Sequence, residues 1–224
     1  MKKCIILANG NSPKKSLFPF LRKHGFEVLI AADGGANNAR KLNLIPDYII
    51  GDLDSITKEN LDYFSDKTII KKFKRQDDTD VEKCLKFAIK NKFTECALLG
   101  VIGDRLDHSF GNLGIAKRFS EFISIIIVTE MSILTVHTGN TMFDTHPGEI
   151  ISIYGFDDKT KITSEGLKYP IDNEPLSFGK REGTSNQATG TKVELKIKNG
   201  RIFVIRELKT IMRYHKELME QLEI

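Results

Sequence analysis

Two short acidic stretches hold the residues best suited to chemistry. Asp52 and Asp54 stand in Gly-Asp-Leu-Asp-Ser, and the later stretch Arg-Gln-Asp-Asp-Thr-Asp contains Asp77, Asp78 and Asp80. Carboxylates this close repel one another unless a bound cation, nearby lysines or solvent offsets their charge. Asp52 and Asp54 are two residues apart, so in an extended segment they lie on one face and can share a cation. Clustered carboxylates without cysteine or histidine ligands favour Mg²⁺, which usually binds substrate phosphates as well.

The second stretch also has a purely structural interpretation. Thr79 and Glu82 form the T-x-x-E pattern of a capping box, which predicts a helix that begins at Thr79 and runs to about Asn91. Asp80 then lies in the first turn, where the helix dipole favours negative charge. These acids could therefore simply mark a helix start, but their combination with Gly-Asp-Leu-Asp-Ser favours a shared cation site.

A third polar stretch, Gly-Asp-Arg-Leu-Asp-His, begins at Gly103. Arg105 could stabilise the charge of a phosphate, or it could form a surface salt bridge with Asp104. Asp107 could accept a proton from a substrate hydroxyl or bind the metal, or it could be an ordinary carboxylate at a helix start. His108 is interpreted as structural, because a lone histidine carries little functional signal.

The elements that would position these residues alternate between strands and helices over residues 1–130. Short apolar runs such as Ile5-Ile6-Leu7 are each followed by a helical pattern, and the first helix is predicted to begin at Ser12-Pro13. This repetition predicts a parallel sheet covered by helices on both faces. Ligands of such sheets collect beyond the carboxyl ends of the strands, where each of the polar stretches falls.

Two further polar loops fall at the same edge of the predicted sheet, Ala-Asn-Gly-Asn at residues 8–11 and Ala-Asp-Gly-Gly-Ala-Asn at residues 32–37. Glycines at helix starts let backbone N–H groups approach phosphate oxygens, although Gly34-Gly35 could instead be only a tight turn. The residues predicted to bind a nucleotide are Asn9, Gly10, Asp33, Gly34, Gly35 and Asn37.

The remainder of the chain has the pattern of an antiparallel β-sandwich. Short strands alternate with turn signals, and Asn199-Gly200, between apolar runs on either side, predicts a hairpin. The predicted fold is therefore an N-terminal parallel-sheet α/β domain over residues 1–130, an antiparallel β-sandwich over residues 131–206 and an amphipathic helix over residues 207–224.

Composition argues against several classes of protein. The net charge of +4, the scattered basic residues and the lack of tryptophan argue against nucleic-acid binding. No apolar run reaches the ~20 residues that a membrane-spanning helix needs, so no membrane partner is expected. Cys4, Cys84 and Cys96 stand apart from one another, which indicates a reducing compartment and predicts a cytoplasmic protein.

Taken together, the motifs resemble the thiamin pyrophosphokinase family. ADGGAN, GDLDSI, QDDTD and GDRLDH occur in that family's order and spacing, and GLKYP, LSFG and GTSNQATG follow, so the similarity runs from Ile5 to Ile205. The resemblance implies an α/β catalytic domain followed by a β-sandwich, in a homodimer. It also implies Mg²⁺ as cofactor and ATP as co-substrate, with pyrophosphate transferred to the hydroxyethyl group of thiamin to give thiamin diphosphate and AMP.

The resemblance further implies roles for residues of the first domain. Asp52, Asp54 and Asp80 match metal-binding positions, Gln76 matches a position that contacts thiamin, and Asp107 matches one beside the substrate hydroxyl. The thiamin alcohol would attack the β-phosphorus of ATP in line, so that positioning and electrostatics provide most of the catalysis. The residues predicted to act in catalysis are Asp80, Arg105 and Asp107.

In the second domain, the resemblance implies a thiamin pocket that serves the catalytic domain of the partner subunit. Tyr169 would pack on the thiamin rings, where some family members carry tryptophan, and Ser185 with Asn186 would line the pocket. On their own, Tyr169 would be read as ordinary sandwich packing and Ser185-Asn186 as a plain loop.

Two other functions stay open at the level of the sequence. The same aspartates with Mg²⁺ could activate water in a nucleotide phosphohydrolase, although the second domain argues against a small hydrolase. The chain could also bind thiamin or a nucleotide without turnover, although a pure binder has no need of three clustered carboxylates.

Overall fold

The computed structural model describes residues 2–73 and 77–213 and divides the chain into two compact units, Met1–Glu130 and Met131–Ile224. The first unit alternates strands with helices, and the second is built almost entirely of strands. The predicted α/β fold followed by an antiparallel β domain is confirmed. Among the described residues, no helix is long and apolar enough to cross a membrane.

The first unit is a six-stranded parallel sheet with helical connections. Its strands and helices are β1 Lys3–Leu7, α1 Leu17–Lys23, β2 Phe26–Ala32, α2 Gly35–Lys41, β3 Tyr48–Gly51, α3 Lys58–Phe64, β4 Ile69–Lys72, α4 Asp80–Lys90, β5 Glu95–Leu99, α5 Leu106–Phe119 and β6 Ser124–Val128. The strand order is β6-β5-β1-β2-β3-β4, and each neighbouring pair is parallel. The order reverses at β1, between β5 and β2, and this is where a doubly wound sheet opens a crevice at its carboxyl edge.

The central strands are apolar over most of their length because both faces of the sheet are covered. In β1, Cys4, Ile5, Ile6 and Leu7 are all buried, as expected for a parallel strand between two layers. Helix α4 begins as predicted: Thr79 is its N-cap, and both hydrogen bonds of the capping box with Glu82 are present.

The first helix does not begin where the sequence predicts. Helix α1 starts at Leu17, so the prediction of a start at Ser12-Pro13 is wrong. The N–H of Gly10 bonds the carbonyl of Gly100 at 2.6 Å, and the next residue bonds the loop after β5 in the same way. These bonds hold the chain beyond β1 against a neighbouring loop, so the helical turn is delayed.

The second unit is an antiparallel β domain with its own core. Its strands are β7 Ser132–Asp144, β8 Ile150–Tyr154, β9 Lys161–Glu165, β10 Gly183–Gln187 and β11 Lys192–Glu207. The first half of β11 pairs with β9 and the second half pairs with β8, while β7 runs beside both halves. Strand β11 therefore links β8 and β9. The core of the unit includes Ile151, Ile162, Val193, Leu195 and Val204.

The hairpin predicted at Asn199-Gly200 is wrong. Ile197 pairs with Gly139 and Ile202 pairs with His137, so the chain continues in one direction along β7 and residues 198–201 form a bulge. Asn199 has a φ of 61°, and a Cβ on Gly200 would lie 2.0 Å from Oγ1 of Thr160. Asn199 therefore provides the positive φ of the bulge, and Gly200 allows the close approach of Thr160. A hairpin turn also requires a positive φ, so the local pattern is the same in both structures.

The helix predicted over residues 207–224 falls largely outside the described residues. Residues 208–213 are helical, and Leu208 and Ile211 are buried in agreement with an apolar face. Gln76, predicted to contact thiamin, also lies outside the described residues.

Candidate active site

A cleft of about 780 Å³ lies in the first unit at the carboxyl edge of the sheet. It is lined by the loops that follow β1, β2, β3 and β5 and by the first turns of α4 and α5. This is the position at which a parallel α/β sheet binds its ligands. The predicted site residues that line it are Asn9, Gly10, Gly34, Asp52, Asp54, Asp80, Arg105 and Asp107.

The charge of the cleft is strongly negative among the described residues. Lys83 and Arg105 are the lysine and arginine that line it. They face six aspartates: Asp52, Asp54, Asp78, Asp80, Asp104 and Asp107. A phosphate ligand would be repelled by such a surface unless a metal ion accompanied it.

Asp33 organises the loop that carries the first acidic stretch. It is fully buried at the end of β2, where its Oδ2 accepts the N–H of Asp54 at 3.1 Å and its Oδ1 accepts the N–H of Ile56 at 2.8 Å. Its own backbone has a φ of 39°, and its side chain packs so tightly against Gly51 that a Cβ there would lie 2.6 Å away. Asp33 therefore fixes the path of the chain after β3.

Three carboxylates come close together at the carboxyl edge of the sheet. Asp33, Asp52 and Asp80 each offer an oxygen, and these oxygens all lie within 4.8 Å of one another. The group differs from the predicted metal set because it includes Asp33, which the sequence assigned to nucleotide binding. Asp54 lines the cleft, but its side chain is exposed and accepts the hydroxyl of Ser55 at 2.9 Å.

The carboxylate group fits a divalent cation. Oδ1 of Asp52 is buried and has no hydrogen-bond partner among the described residues. A buried oxygen with no donor is costly, and a bound cation would satisfy it. An all-oxygen donor set with open space beside it is the set that Mg²⁺ prefers.

Lys83 is the buried cation of this group. Its Nζ lies 3.1 Å from Oδ2 of Asp52 and 2.9 Å from Oδ1 of Asp80, and its side chain is only 4% exposed. The sequence interpretation named nearby lysines as one way to offset the carboxylates but did not single out Lys83. Its only sequence signal is its position one turn after Asp80 on α4, which places the two side chains on one face.

Burial and charge act in opposite directions on these groups. The hydrogen bond from Lys83 lowers the pKa of Asp52, whereas burial raises the pKa of Asp80 and of Asp33. Burial alone would lower the pKa of Lys83, but its bonds to the two carboxylates outweigh burial and raise it. Lys83 is therefore a fixed positive charge at neutral pH.

The glycines of the predicted nucleotide loops are explained first by packing. A Cβ on Gly35 would lie 1.9 Å from the carbonyl oxygen of Leu7, and one on Gly10 would lie 2.4 Å from that of Gly100. A Cβ on Gly34 would meet the Asn9 side chain at 2.5 Å. These residues let three loops approach closely, which is a condition for forming the cleft.

Asn37 and Asn38 tie the loops together. Asn37 donates to the carbonyl of Ser55 at 2.9 Å and accepts the N–H of Thr57 at 3.1 Å, so it holds the loop after β3 and does not line the cleft. Asn38, which the sequence interpretation missed, is buried and donates to the carbonyl of Gly10 at 3.1 Å. Its position after a conspicuous glycine pair was the only signal.

Arg105 and Asp107 are joined to each other at the start of α5. Nε and Nη2 of Arg105 lie 2.9 and 2.6 Å from the two carboxylate oxygens of Asp107. Both side chains are exposed, and the arginine holds the pKa of Asp107 well below its usual range. The salt bridge that the sequence allowed between Arg105 and Asp104 is replaced by this two-pronged pair.

The predicted thiamin residues of the second unit form one local arrangement. Tyr169 is 62% exposed, and its backbone N–H and carbonyl bond the side chain of Asn186 at 3.1 and 2.7 Å. Ser185 has a φ of 56° and donates its N–H to the hydroxyl of Ser152 at 3.0 Å. The buried Asn186 therefore positions an exposed aromatic ring.

Fold and site together define a two-domain α/β protein whose cleft is suited to a metal ion with a phosphate ligand. The chain matches the family model for the thiamin pyrophosphokinase catalytic domain over residues 23–128 and the model for the vitamin B1 binding domain over residues 140–202. The chain belongs to the thiamin pyrophosphokinase family, and the resemblance seen in the sequence is confirmed.

Relatives and solved structures agree with this assignment. Thiamin pyrophosphokinase 1 of Caenorhabditis elegans is 31% identical over 191 residues, covering 79% of this chain and 77% of the relative. The thiamine pyrophosphokinase of Bacillus subtilis is 25% identical over 227 residues, covering 92% of this chain and 99% of the relative. A crystal structure of a Bacillus subtilis thiamine pyrophosphokinase superimposes with a TM-score of 0.78 at 22% identity, over 92% of this chain and 99% of that one, and so shares the fold.

Proposed function

We propose that this protein transfers pyrophosphate from ATP to the hydroxyethyl group of thiamin, giving thiamin diphosphate and AMP. Membership of the family supports the choice of substrates. The observation that carries the chemistry is the group of three carboxylates at the carboxyl edge of the sheet, with one buried oxygen of Asp52 that has no hydrogen-bond partner among the described residues. A phosphoryl-transfer site needs such a group to hold a metal beside the phosphates.

The metal-binding role is proposed for Asp52 and Asp80, with Asp33 from the geometry and Asp54 from the motif. When bound, Mg²⁺ offsets the negative charge of the phosphates and of the transition state. The chain's own contribution is to hold the carboxylates in place. Asp33 fixes the loop through its two backbone hydrogen bonds, and α4 presents Asp80 from its first turn.

Asp107 is proposed to orient the thiamin hydroxyl. Because its pKa is lowered by Arg105, the carboxylate is ionised at neutral pH and is a weak base. It can accept a hydrogen bond from the alcohol without removing the proton early, which suits a loose transition state. Arg105 would stabilise phosphate charge, and its exposed guanidinium is free to exchange one carboxylate contact for a phosphate oxygen.

The thiamin pocket is proposed to combine two subunits of a homodimer. Gln76 of one subunit, with Tyr169, Ser185 and Asn186 of the other, would bind the thiamin rings. The exposed ring of Tyr169 supports this because a large aromatic exposed beside a buried, hydrogen-bonded asparagine is suited to stacking on a ligand. No nucleic-acid partner is proposed. Cys4, Cys84 and Cys96 are buried free thiols, although Cys4 and Cys96 are register partners on β1 and β5, which supports a reducing, cytoplasmic setting.

The first experiment is a chromatographic assay with ATP, Mg²⁺ and thiamin, performed on the wild type and on Asp52→Asn and Asp54→Asn. Equal amounts of thiamin diphosphate and AMP are expected, with a loss of about 100-fold or more in each variant. Asp62→Asn changes an exposed aspartate of α3 by the same single charge and should keep full activity.

The outcome separates the competing functions. AMP or ADP formed at the same rate without thiamin would indicate a phosphohydrolase. Tight ATP binding with no product would indicate a binding protein. Full activity in Asp52→Asn would show that the carboxylate group is not the metal site.

A further inference from the structure

Lys83 is held by two carboxylates of the protein at the border of the cleft. Its side chain is only 4% exposed, although it borders the cleft. Two of its three donor positions are directed at Asp52 and Asp80. A lysine that binds phosphate presents its ammonium group to the ligand, and this one presents it to two carboxylates instead.

The bonds of Lys83 select which carboxylate oxygens stay available. It binds Oδ2 of Asp52 and leaves Oδ1 of the same carboxylate buried and unpartnered. It binds Oδ1 of Asp80 in the same way. The ammonium group therefore fixes the rotation of both side chains so that one oxygen of Asp52 is directed away from it.

Charge within the group matches one divalent ion. With all three carboxylates ionised, as metal binding requires, Asp33, Asp52, Asp80 and Lys83 together carry a formal charge of −2. A single divalent cation would neutralise this charge. Without the lysine, the charge would be −3 and the site would attract further positive charge.

We propose that Lys83 acts as a fixed internal cation that offsets one negative charge of the group and so limits the carboxylate group to one divalent ion. The inference deepens the proposed function, because it takes the carboxylate group to be the metal site. It does not depend on transfer to thiamin. A protein that binds metal in this way but makes no thiamin diphosphate would support the role of Lys83 and overturn the proposed function.

The test measures metal binding directly, with Mn²⁺ as the probe. Free Mn²⁺ is counted by electron paramagnetic resonance in titrations of the wild type and of Lys83→Met, without nucleotide. Removal of the nearby positive charge is expected to tighten Mn²⁺ binding by about tenfold or more. The metal-free variant is expected to unfold at a lower temperature than the wild type, and added Mn²⁺ should raise its Tm by more than it raises that of the wild type.

A matched control lies on the same helix. Lys86→Met also removes one positive charge from α4, but Lys86 pairs with Asp78 at 2.6 Å and is half-exposed. This variant should bind Mn²⁺ with wild-type affinity. If Lys83→Met and Lys86→Met changed Mn²⁺ affinity equally, or if Lys83→Met weakened it, the proposed role would be overturned.

The wild type gives a second test that does not require any variant to fold. One tightly bound Mn²⁺ per chain is expected from the charge of the group. Two ions bound with equal affinity would contradict the limit that Lys83 is proposed to impose.

Discussion

The carboxylate of Asp33 accepts the backbone N–H of Asp54 at 3.1 Å, so a buried residue at the end of β2 holds the loop that follows β3. The same carboxylate also accepts the N–H of Ile56 at 2.8 Å and contributes an oxygen to the carboxylate group. The loop geometry and the candidate metal site therefore depend on one side chain. A change at Asp33 should affect stability and metal binding together.

Asp33→Asn keeps the shape of the side chain but can accept hydrogen bonds with one oxygen only. We expect the metal-free protein to lose about 1–3 kcal/mol of unfolding free energy, since a buried N–H is left without its acceptor. Mg²⁺ affinity should fall by about tenfold or more. Urea unfolding and calorimetric titration measure the two effects, with Asp62→Asn as the control. Loss of metal binding with unchanged stability would mean that Asp33 does not hold the loop.

The capping box at the start of α4 helps to position Asp80, the carboxylate that this helix contributes to the site. Oγ1 of Thr79 accepts the N–H of Glu82, and the Glu82 carboxylate accepts the N–H of Thr79 at 2.9 Å. Thr79→Ala should cost about 1 kcal/mol of unfolding free energy, and it should weaken Mg²⁺ binding because α4 carries Asp80. Thr79→Ser retains the hydroxyl and should restore both properties in the same two measurements. Equal stability in the two variants would contradict a capping role.

Local sequence patterns predicted those parts of the site that local geometry decides. The capping box gave the start of α4, because its two hydrogen bonds join residues three apart. The first acidic stretch was placed correctly at the end of β3, because an apolar run directly precedes it. The role of Lys83 could not be read in this way, since its partner Asp52 lies 31 residues earlier in the chain. Only the packing of α4 beside β3 brings the two together.

The error at Asn199-Gly200 has the same origin. An Asn-Gly pair signals a positive φ, which a hairpin turn and a bulge both require. The choice between them depends on β7, whose residues Gly139 and His137 continue the pairing on either side of the bulge. No local pattern contains that information, because β7 lies some sixty residues earlier in the chain.

Close backbone packing beneath the cleft is tested by two glycine substitutions. Gly35→Ala would place its methyl group 1.9 Å from the carbonyl oxygen of Leu7, which only a shift of backbone could relieve. We expect a loss of about 2 kcal/mol or more in unfolding free energy. Gly114→Ala is the matched control, because a Cβ there has open space inside helix α5. It should raise the unfolding free energy by about 0.5–1 kcal/mol. Urea unfolding of both variants measures these changes, and equal stability of the two would contradict the close packing at Gly35.

His137 should make the stability of the second unit depend on pH. Its ring nitrogens lie 2.7 Å from Oγ1 of Thr135 and 3.1 Å from Oγ1 of Thr141, and burial with the nearby charge of Arg206 lowers its pKa from 6.5 to about 4. Between these two pH values the unfolded chain binds a proton that the folded chain does not. The free energy of unfolding should therefore fall as pH falls from 6.5 to 4, by up to about 3 kcal/mol and by less where solvent screens the ring.

His137→Gln removes the titrating group while keeping a side chain able to bond both threonines. The contribution of His137 to the pH slope should disappear in this variant, whereas His24→Gln, an exposed histidine of the first unit, should keep it. Urea unfolding of the full chain at several pH values between 4 and 7 measures the slope. If His137→Gln showed the same slope as the wild type, another group would be responsible for the acid sensitivity.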